Sequence, residues 1–407
     1  MPDDAVTQIE MVDERLLEAR RPSPTRRRRT RILTALGASA AAIVVFLSIL
    51  AFRVEDQPRP DPDQAIFGGS GGQWMRSMTS GGPGLVAVGW GHDGAAVWTS
   101  VDGVSWSRVP HDEAVFGGEG LQAMHSVTVG GPGLVAVGRD WSGTDTKVAV
   151  WTSVDGVSWS RVPHNEAVFG GGGHEFIMHS VAVGGPGLVA VGWDQRSTEN
   201  GIGVTAVVWT SADGLSWVRL PHDEALYGGV RMRSVTAGGP GLVAVGGDFE
   251  RAAVWTSVDG TAWDRVRHDQ AIFGDTTMRS VTVGGPGLVA VGGEFERSGV
   301  WTSVDGVEWS RVPQERAGFV DAMLSVTTGG PGLVAVGGCC GDAVVSTSVD
   351  GDTWSQVDAP ELDAGEIISI ARGGPGLVAL GAPFSGAPIW TSPDGISWSR
   401  IPEAKTR

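Results

Sequence analysis

The chain has 407 residues, a formal net charge of −16, 63 Gly, 17 Trp and a single Tyr. So acidic a body argues against nucleic acid as a partner, whose phosphates it would repel, and favours solubility and neutral or cationic partners. The glycines recur at fixed turn positions, which excludes a collagen-like or a disordered chain.

Residues 1–31 hold eight Arg and six acidic residues and read as an Arg-rich cytoplasmic tail. A short amphipathic stretch from Ile9 to Ala19 lies within it, either as part of a disordered tail or as a partner-binding helix. Residues 32–52 form a run of 21 residues without a charge. As a helix it would be roughly 31 Å long, enough to cross the hydrocarbon of a bilayer. Arg26, Arg27, Arg28, Arg29 and Arg31 immediately precede it, so the N-terminus is expected in the cytoplasm and everything after residue 52 outside. The expectation is a single-pass cell-membrane protein; the alternative is a cleaved signal peptide. The long leader and the Ala-rich stretch inside the apolar run favour an uncleaved anchor. Val54 to Pro62 is rich in Pro and Asp, and residues 53–60 read as a stiff solvated linker.

From residue 61 onward two phrases alternate seven times. The first, Gly-Gly-Pro-Gly-Leu-Val-Ala-Val-Gly, starts at Gly81, Gly130, Gly184, Gly238, Gly284, Gly329 and Gly373, the last copy with Leu380 in place of Val. The second, Val-Trp-Thr-Ser-Val-Asp-Gly-x-x-Trp with small changes, carries Asp102, Asp155, Asp213, Asp259, Asp305, Asp350 and Asp394. Strict alternation means copies of one supersecondary unit, whose apolar faces are buried only against neighbouring copies. In the first unit, Ser77–Ser80, Leu85–Gly89, Ala95–Ser100 and Ser105–Val109 read as short strands bounded by Gly and Pro. Their apolar runs are nearly continuous, which implies burial on both sheet faces.

Four antiparallel strands per unit, repeated every 44 to 54 residues, predict an all-β fold. The expected architecture is a seven-bladed β-propeller of four-stranded antiparallel blades, preceded by one transmembrane helix. The blades are expected at about 61–110, 111–163, 164–221, 222–267, 268–313, 314–358 and 359–402, within a domain spanning 61–407. A linear β-solenoid is the runner-up, but two Gly turns per unit require hairpins. Closure into a ring would remove the exposed sheet edges that an open stack leaves.

The segment Ser100-Val101-Asp102-Gly103-Val104-Ser105-Trp106 and its six later copies resemble the Asp-box, the hairpin motif of sialidase-like (BNR) propellers. The resemblance covers the whole part after the apolar segment. It implies the propeller fold; that family includes hydrolases, receptors and assembly factors, so it implies little about activity. The chemistry of the spacing is structural. An Asp side chain can accept the N–H groups of its own turn, and Gly supplies a positive φ. The Trp then folds over the hairpin, and burying it is worth about 4–6 kcal/mol gross. Six more Trp occupy the third strand, at Trp98, Trp151, Trp209, Trp255, Trp301 and Trp390, with Ser346 in the sixth unit, where looser packing is expected.

Function is expected on the face opposite these invariant turns, where the units differ most. The loops between second and third strands present Trp90, Trp141, Trp193, Phe249, Phe295 and Phe384, which either pack on their own loops or form a platform for sugar or peptide stacking, with Trp74 as a further member. The first strands carry Arg76, His125, His179, Arg233 and Arg279 at one repeat position, followed by Leu324 and Ile368. These five would gather at the mouth of a central channel, either as solvated or locally paired side chains or as a site for a carboxylate or phosphate. His111, His164, His222 and His268 are dispersed round the ring and are not expected to share a metal. Cys339 and Cys340 are adjacent, which permits a strained vicinal disulfide or two thiols.

Sialidases use a Tyr nucleophile, but Tyr227 occupies the position of Phe67, Phe116, Phe169 and Phe273 and reads as core. Asp93, Asp140, Asp194 and Glu175 are loop acids that could supply a glycosidase pair, and nothing singles them out. No cofactor or metal motif is present and no catalytic residue is assigned. The reading is a membrane-anchored extracytoplasmic module that binds or scaffolds a carbohydrate or protein of the cell envelope, leaning away from an enzyme; the alternative is a glycoside hydrolase that is not a true sialidase.

Overall fold

The computed structural model describes residues 72–402, apart from 143–144, 199–200, 249, 295–296, 320, 340–341, 363–364 and 383–386. The tail, the apolar segment 32–52 and the linker lie outside the described residues, as do Phe249, Phe295, Phe384 and Cys340. Among the described residues no helix is long and apolar enough to cross a membrane.

Each repeat becomes a meander because both of its Gly phrases are turns. In the first unit, β1 (Trp74–Gly81) pairs antiparallel with β2 (Gly84–Gly91), and Gly81 stands opposite Gly84. Gly82 holds a φ of 55°, and a Cβ there would lie 2.8 Å from the Asp155 carbonyl oxygen of the next unit. The turn therefore needs glycine for both conformation and space. β3 (Gly94–Ser100) pairs with β2, and the two-residue β4 (Ser107–Arg108) pairs with β3.

The propeller is all-β in its sheets, with four-stranded antiparallel blades in the order of the chain, but the sheets are not seven separate ones. Five are separate four-stranded sheets, and the second and third units share one eight-stranded sheet. Its strands are β5 (Leu121–Gly130), β6 (Gly133–Ser142), β7 (Asp145–Ser153), β8 (Trp159–Arg161), β9 (Glu175–Gly184), β10 (Gly187–Thr198), β11 (Gly201–Ser211) and β12 (Trp217–Arg219). One parallel pairing, Thr146 opposite Glu175, joins β7 to β9. The cause is strand length: β7 and β9 run far enough toward the variable edge to meet, and Gly173 N donates to Asp145 Oδ1 at 2.9 Å beside the junction.

Second strands are buried on both faces, as the continuous apolar runs require: Leu85, Val86, Ala87 and Val88 are all within 1% of full burial. Each apolar cluster lies between successive units. Val86, Val88 and Val97 of the first pack with Met124, Leu134 and Trp151 of the second. The last such cluster joins Leu85 and Trp98 to Val378, Leu380 and Ile389, so the final sheet packs on the first. Ser80 Oγ donates to the Arg372 carbonyl at 2.8 Å across that seam.

The six third-strand indoles are fully buried. Trp151 Nε1 donates to Val115 O at 2.7 Å, and Trp209, Trp255, Trp301 and Trp390 make the same bond to Val168, Leu226, Ile272 and Glu361. Four of these acceptors, Val115, Val168, Leu226 and Ile272, sit in one-turn helices, Glu113–Phe116, Glu166–Phe169, Glu224–Tyr227 and Gln270–Phe273. Asp112, Asn165, Asp223 and Asp269 cap them by accepting a backbone N–H, which is what an Asx residue before a helix does. These helices bury Phe116, Phe169, Tyr227 and Phe273. Tyr227 is core, as expected, and burial pushes its hydroxyl up to about 12. In the sixth unit Ser346 is fully buried, and Phe319 packs edge-on against Trp354 at 6.2 Å.

Candidate functional site

Every first strand contains a bulge. The register with the second strand slips between Met75 and Ser77, Met124 and Ser126, Met232 and Ser234, Met278 and Ser280, Met323 and Ser325, and Ile367 and Ser369. In the third unit the slip falls opposite Val191 and Gly192 and skips His179. The residue inserted by each bulge is therefore Arg76, His125, His179, Arg233, Arg279, Leu324 or Ile368. An inserted residue is re-aimed out of the pleat, and all seven line one cavity of about 560 Å³.

The sequence makes room for the bulge with the last Gly of the Leu-Val-Ala-Val-Gly phrase. A Cβ at Gly89 would run into the Trp74 carbonyl, and at Gly138, Gly192, Gly246 and Gly292 into those of Ala123, Ile177, Arg231 and Thr277. The serine after six of the bulges staples neighbouring units along the cavity wall. Ser77 Oγ accepts from Val127 N at 3.4 Å, and Ser126, Ser180, Ser234, Ser280 and Ser325 accept from Val181, Val235, Val281, Val326 and Ile370 at 3.2 to 3.3 Å.

Five basic side chains thus converge, with Glu294 and Glu366 as the acids on the same wall. Arg279 is committed: Nη2 donates to Glu294 Oε1 at 3.0 Å and Nε to Gly293 O at 3.1 Å. Arg76 Nη2 lies 3.4 Å from His179 Nε2. Arg233 lies over the Trp193 ring at 5.9 Å, and its buried Nε has no hydrogen-bond partner among the described residues. Burial, then the charges of Arg279 and Arg231, brings the Arg233 guanidinium down to about 9. Burial, then Arg279 and Arg139, lowers Arg76 as well. Both imidazoles are held neutral: burial, then Arg76 and Arg139, depresses His125 to about 3, and burial, then Arg76 and His125, depresses His179 far below its ordinary value.

Their tautomers follow from their partners. His125 Nδ1 lies 3.2 Å from Met178 O, and His179 Nδ1 lies 2.8 Å from Arg233 O. A carbonyl can only accept, so both Nδ1 atoms carry the proton and both Nε2 atoms are acceptors. His179 Nε2 accepts from Arg76.

No family model matches the chain, and no curated protein matches it either. Solved structures do resemble it at a distance. A glycosyl hydrolase from Bacteroides ovatus is 11% identical, with 63% of this chain and 88% of that one covered and a TM-score of 0.33. A mutant of the Aleuria aurantia lectin in complex with alpha-methyl-L-fucoside is 11% identical, over 70% and 96%, with a TM-score of 0.40. Pyrococcus horikoshii acylaminoacyl peptidase is 10% identical, over 84% and 54%, with a TM-score of 0.43. At this distance the likenesses carry no functional weight, and the fold rests on the strand pairing above.

The described loop aromatics fall in three settings. Trp193 packs against His179 at 5.2 Å and under Arg231 and Arg233, beside the cavity. Trp90 stands edge-on to Trp74 at 5.4 Å. Trp141, 48% exposed, lines a second cavity of about 440 Å³ with Arg139, Glu175, Gln195 and Arg196. The loop acids face basic side chains. Arg108 holds both oxygens of Asp93, Arg161 pairs with Asp140, His174 lies 3.1 Å from Asp194, and Arg139 lies 3.9 Å from Glu175. His111 and His222 each face a helix glutamate, Glu113 and Glu224, and His268 faces Gln270; no group of three metal-ligating residues occurs among the described residues. Cys339 lines the central cavity.

Proposed function

We propose that the chain is a seven-bladed propeller of the Asp-box type, held outside the cell by residues 32–52, that binds an anionic envelope ligand at the mouth of its central channel. The blade count is supported by a cycle of turns. A Cβ at Gly82 would meet Asp155 O, at Gly131 Asp213 O, at Gly185 Asp259 O and at Gly239 Asp305 O. The series continues from Gly285 to Asp350, from Gly330 to Asp394, and from Gly374 back to Asp102. The eight-stranded sheet is then two blades touching at one pairing. The Asp-box reading is supported by the hairpins, where Asp102 Oδ1 accepts from Val104 N at 2.8 Å and Ser105 N at 2.6 Å, and Trp106 Nε1 donates to Gly103 O at 3.1 Å.

One observation carries the function: guanidiniums from three different blades face one cavity, two of them without a carboxylate partner among the described residues. Such groups are suited to a carboxylate or phosphate, and the ligand would be an acidic carbohydrate or an acidic protein segment of the envelope. Acidic and neutral glycans presented to the full-length chain test this. Acidic members should be retained, and Arg76→Ala with Arg233→Ala should abolish retention while leaving the melting temperature near that of the parent. Equal retention of neutral glycans, or indifference to the double substitution, would overturn it. The anchor is tested separately by protease added to intact cells, which should remove the repeats and spare the tail.

A further inference from the structure

The cavity's charges and its acceptors together restrict the anion. Arg76, Arg233 and Arg279 line the cavity with Glu294 and Glu366, and both imidazoles are neutral, so the lining side chains have a formal net charge of +1. That suits a monoanion better than a dianion. Arg279 already spends its fork on Glu294, which leaves Arg76 and Arg233 to receive the anion's oxygens.

His125 adds a second requirement. Its Nδ1–H is tied to Met178 O, so the ring presents Nε2 as a lone pair on the cavity wall. The backbone carbonyl fixes the tautomer, and the ring cannot reverse its polarity without losing that bond. A lone pair repels a bare carboxylate oxygen and attracts an O–H. Protonation would turn Nε2 into a donor, but Arg76 and burial oppose it. The wall therefore offers donors from arginine beside an acceptor from histidine.

Resting on the anionic-ligand reading above, we infer that the channel mouth recognises a hydroxycarboxylate, with the carboxylate on Arg76 and Arg233 and the neighbouring hydroxyl donating to His125 Nε2. A free hydroxy acid and a uronic-acid end of a glycan share this chemistry.

Calorimetric titration of the full-length chain at neutral pH with lactate, propionate and methyl glucuronide tests it. Lactate should bind about fivefold more tightly than propionate, the size expected of one added hydrogen bond. His125→Phe should erase that preference while both acids still bind. Should His125→Phe fail to fold, the Nε2 nitrogen resonance of His125 in the parent chain decides instead: it should move with lactate and stay with propionate. Tighter binding of methyl glucuronide than of lactate identifies a glycan end as the source, and the reverse a free acid. Equal binding of lactate and propionate, unchanged by His125→Phe, overturns the hydroxyl requirement and leaves the anion site standing. Failure of all three to bind removes the anion site itself.

Discussion

At the scale of single residues, glycine and tryptophan divide the work. Gly89 and its equivalents are small because a bulge presses a carbonyl against them, and the carbonyl belongs to a paired strand that cannot retreat. Gly246→Ala should therefore cost about 1–3 kcal/mol, in the range of an overpacked core. It should also disturb Arg233, the inserted residue opposite. Chemical denaturation of the full-length variant measures the first effect, and loss of acidic-glycan retention the second. Trp255 is fully buried and donates to Leu226 O, so Trp255→Ala should cost about 3–5 kcal/mol. A loss under about 1 kcal/mol would show that the site collapses around the missing ring.

At the scale of elements, the hairpins and the first strands respond to acid in different windows. Each hairpin Asp accepts two backbone N–H groups, and those bonds lower the carboxyl, to about 2 for Asp102, Asp155, Asp259 and Asp394. The folded value lies below the ordinary unfolded value of about 3.9. The stabilisation is therefore complete above about pH 4 and lost as pH falls toward 2. His125 and His179 also titrate lower when folded, so their contribution is complete above about 6.5 and drains away as pH falls toward 3. The melting temperature should fall in two stages on acidification. His125→Gln with His179→Gln should flatten the stage between about 6.5 and 4 only. Asp→Asn in the hairpins should flatten the stage below about 4, because the amide oxygen still accepts the N–H groups without titrating. A single stage below about pH 4, unaffected by the histidine substitutions, would contradict the burial of those rings.

At the scale of the whole molecule, stability depends on the seam between the last sheet and the first. Leu85 packs there with Val378 and Leu380, and a Cβ at Gly373 would strike its side chain. Leu85→Ala should cost about 2–5 kcal/mol. Removing residues 359–407 should leave the Leu85 and Trp98 face without its cover, and the shortened chain should elute as aggregate in size-exclusion chromatography. A monomeric product that melts like the parent would mean that the units do not depend on closure.

Much of this was legible in the residues themselves. Alternating Gly phrases specified meanders, the Asp-Gly-x-x-Trp spacing specified hairpins, and the buried Trp and Tyr227 were readable as core. The bulge is visible in the packing too: Met75 and Met78, or Met232 and Val235, lie three residues apart yet pack in one apolar cluster, which an inserted residue between them allows. Other features were not legible. The union of the second and third units in one sheet depends on where two strand ends meet, which their loop lengths alone do not specify. The one-turn helices are too short to show a period. That His125 and His179 are neutral acceptors was decided by carbonyls of neighbouring units, Met178 and Arg233, brought alongside only when the blades stack. Local sequence determines local turns and which faces are apolar, because these depend on neighbours along the chain. The polarity of the channel depends on neighbours across it, and only tertiary structure supplies those.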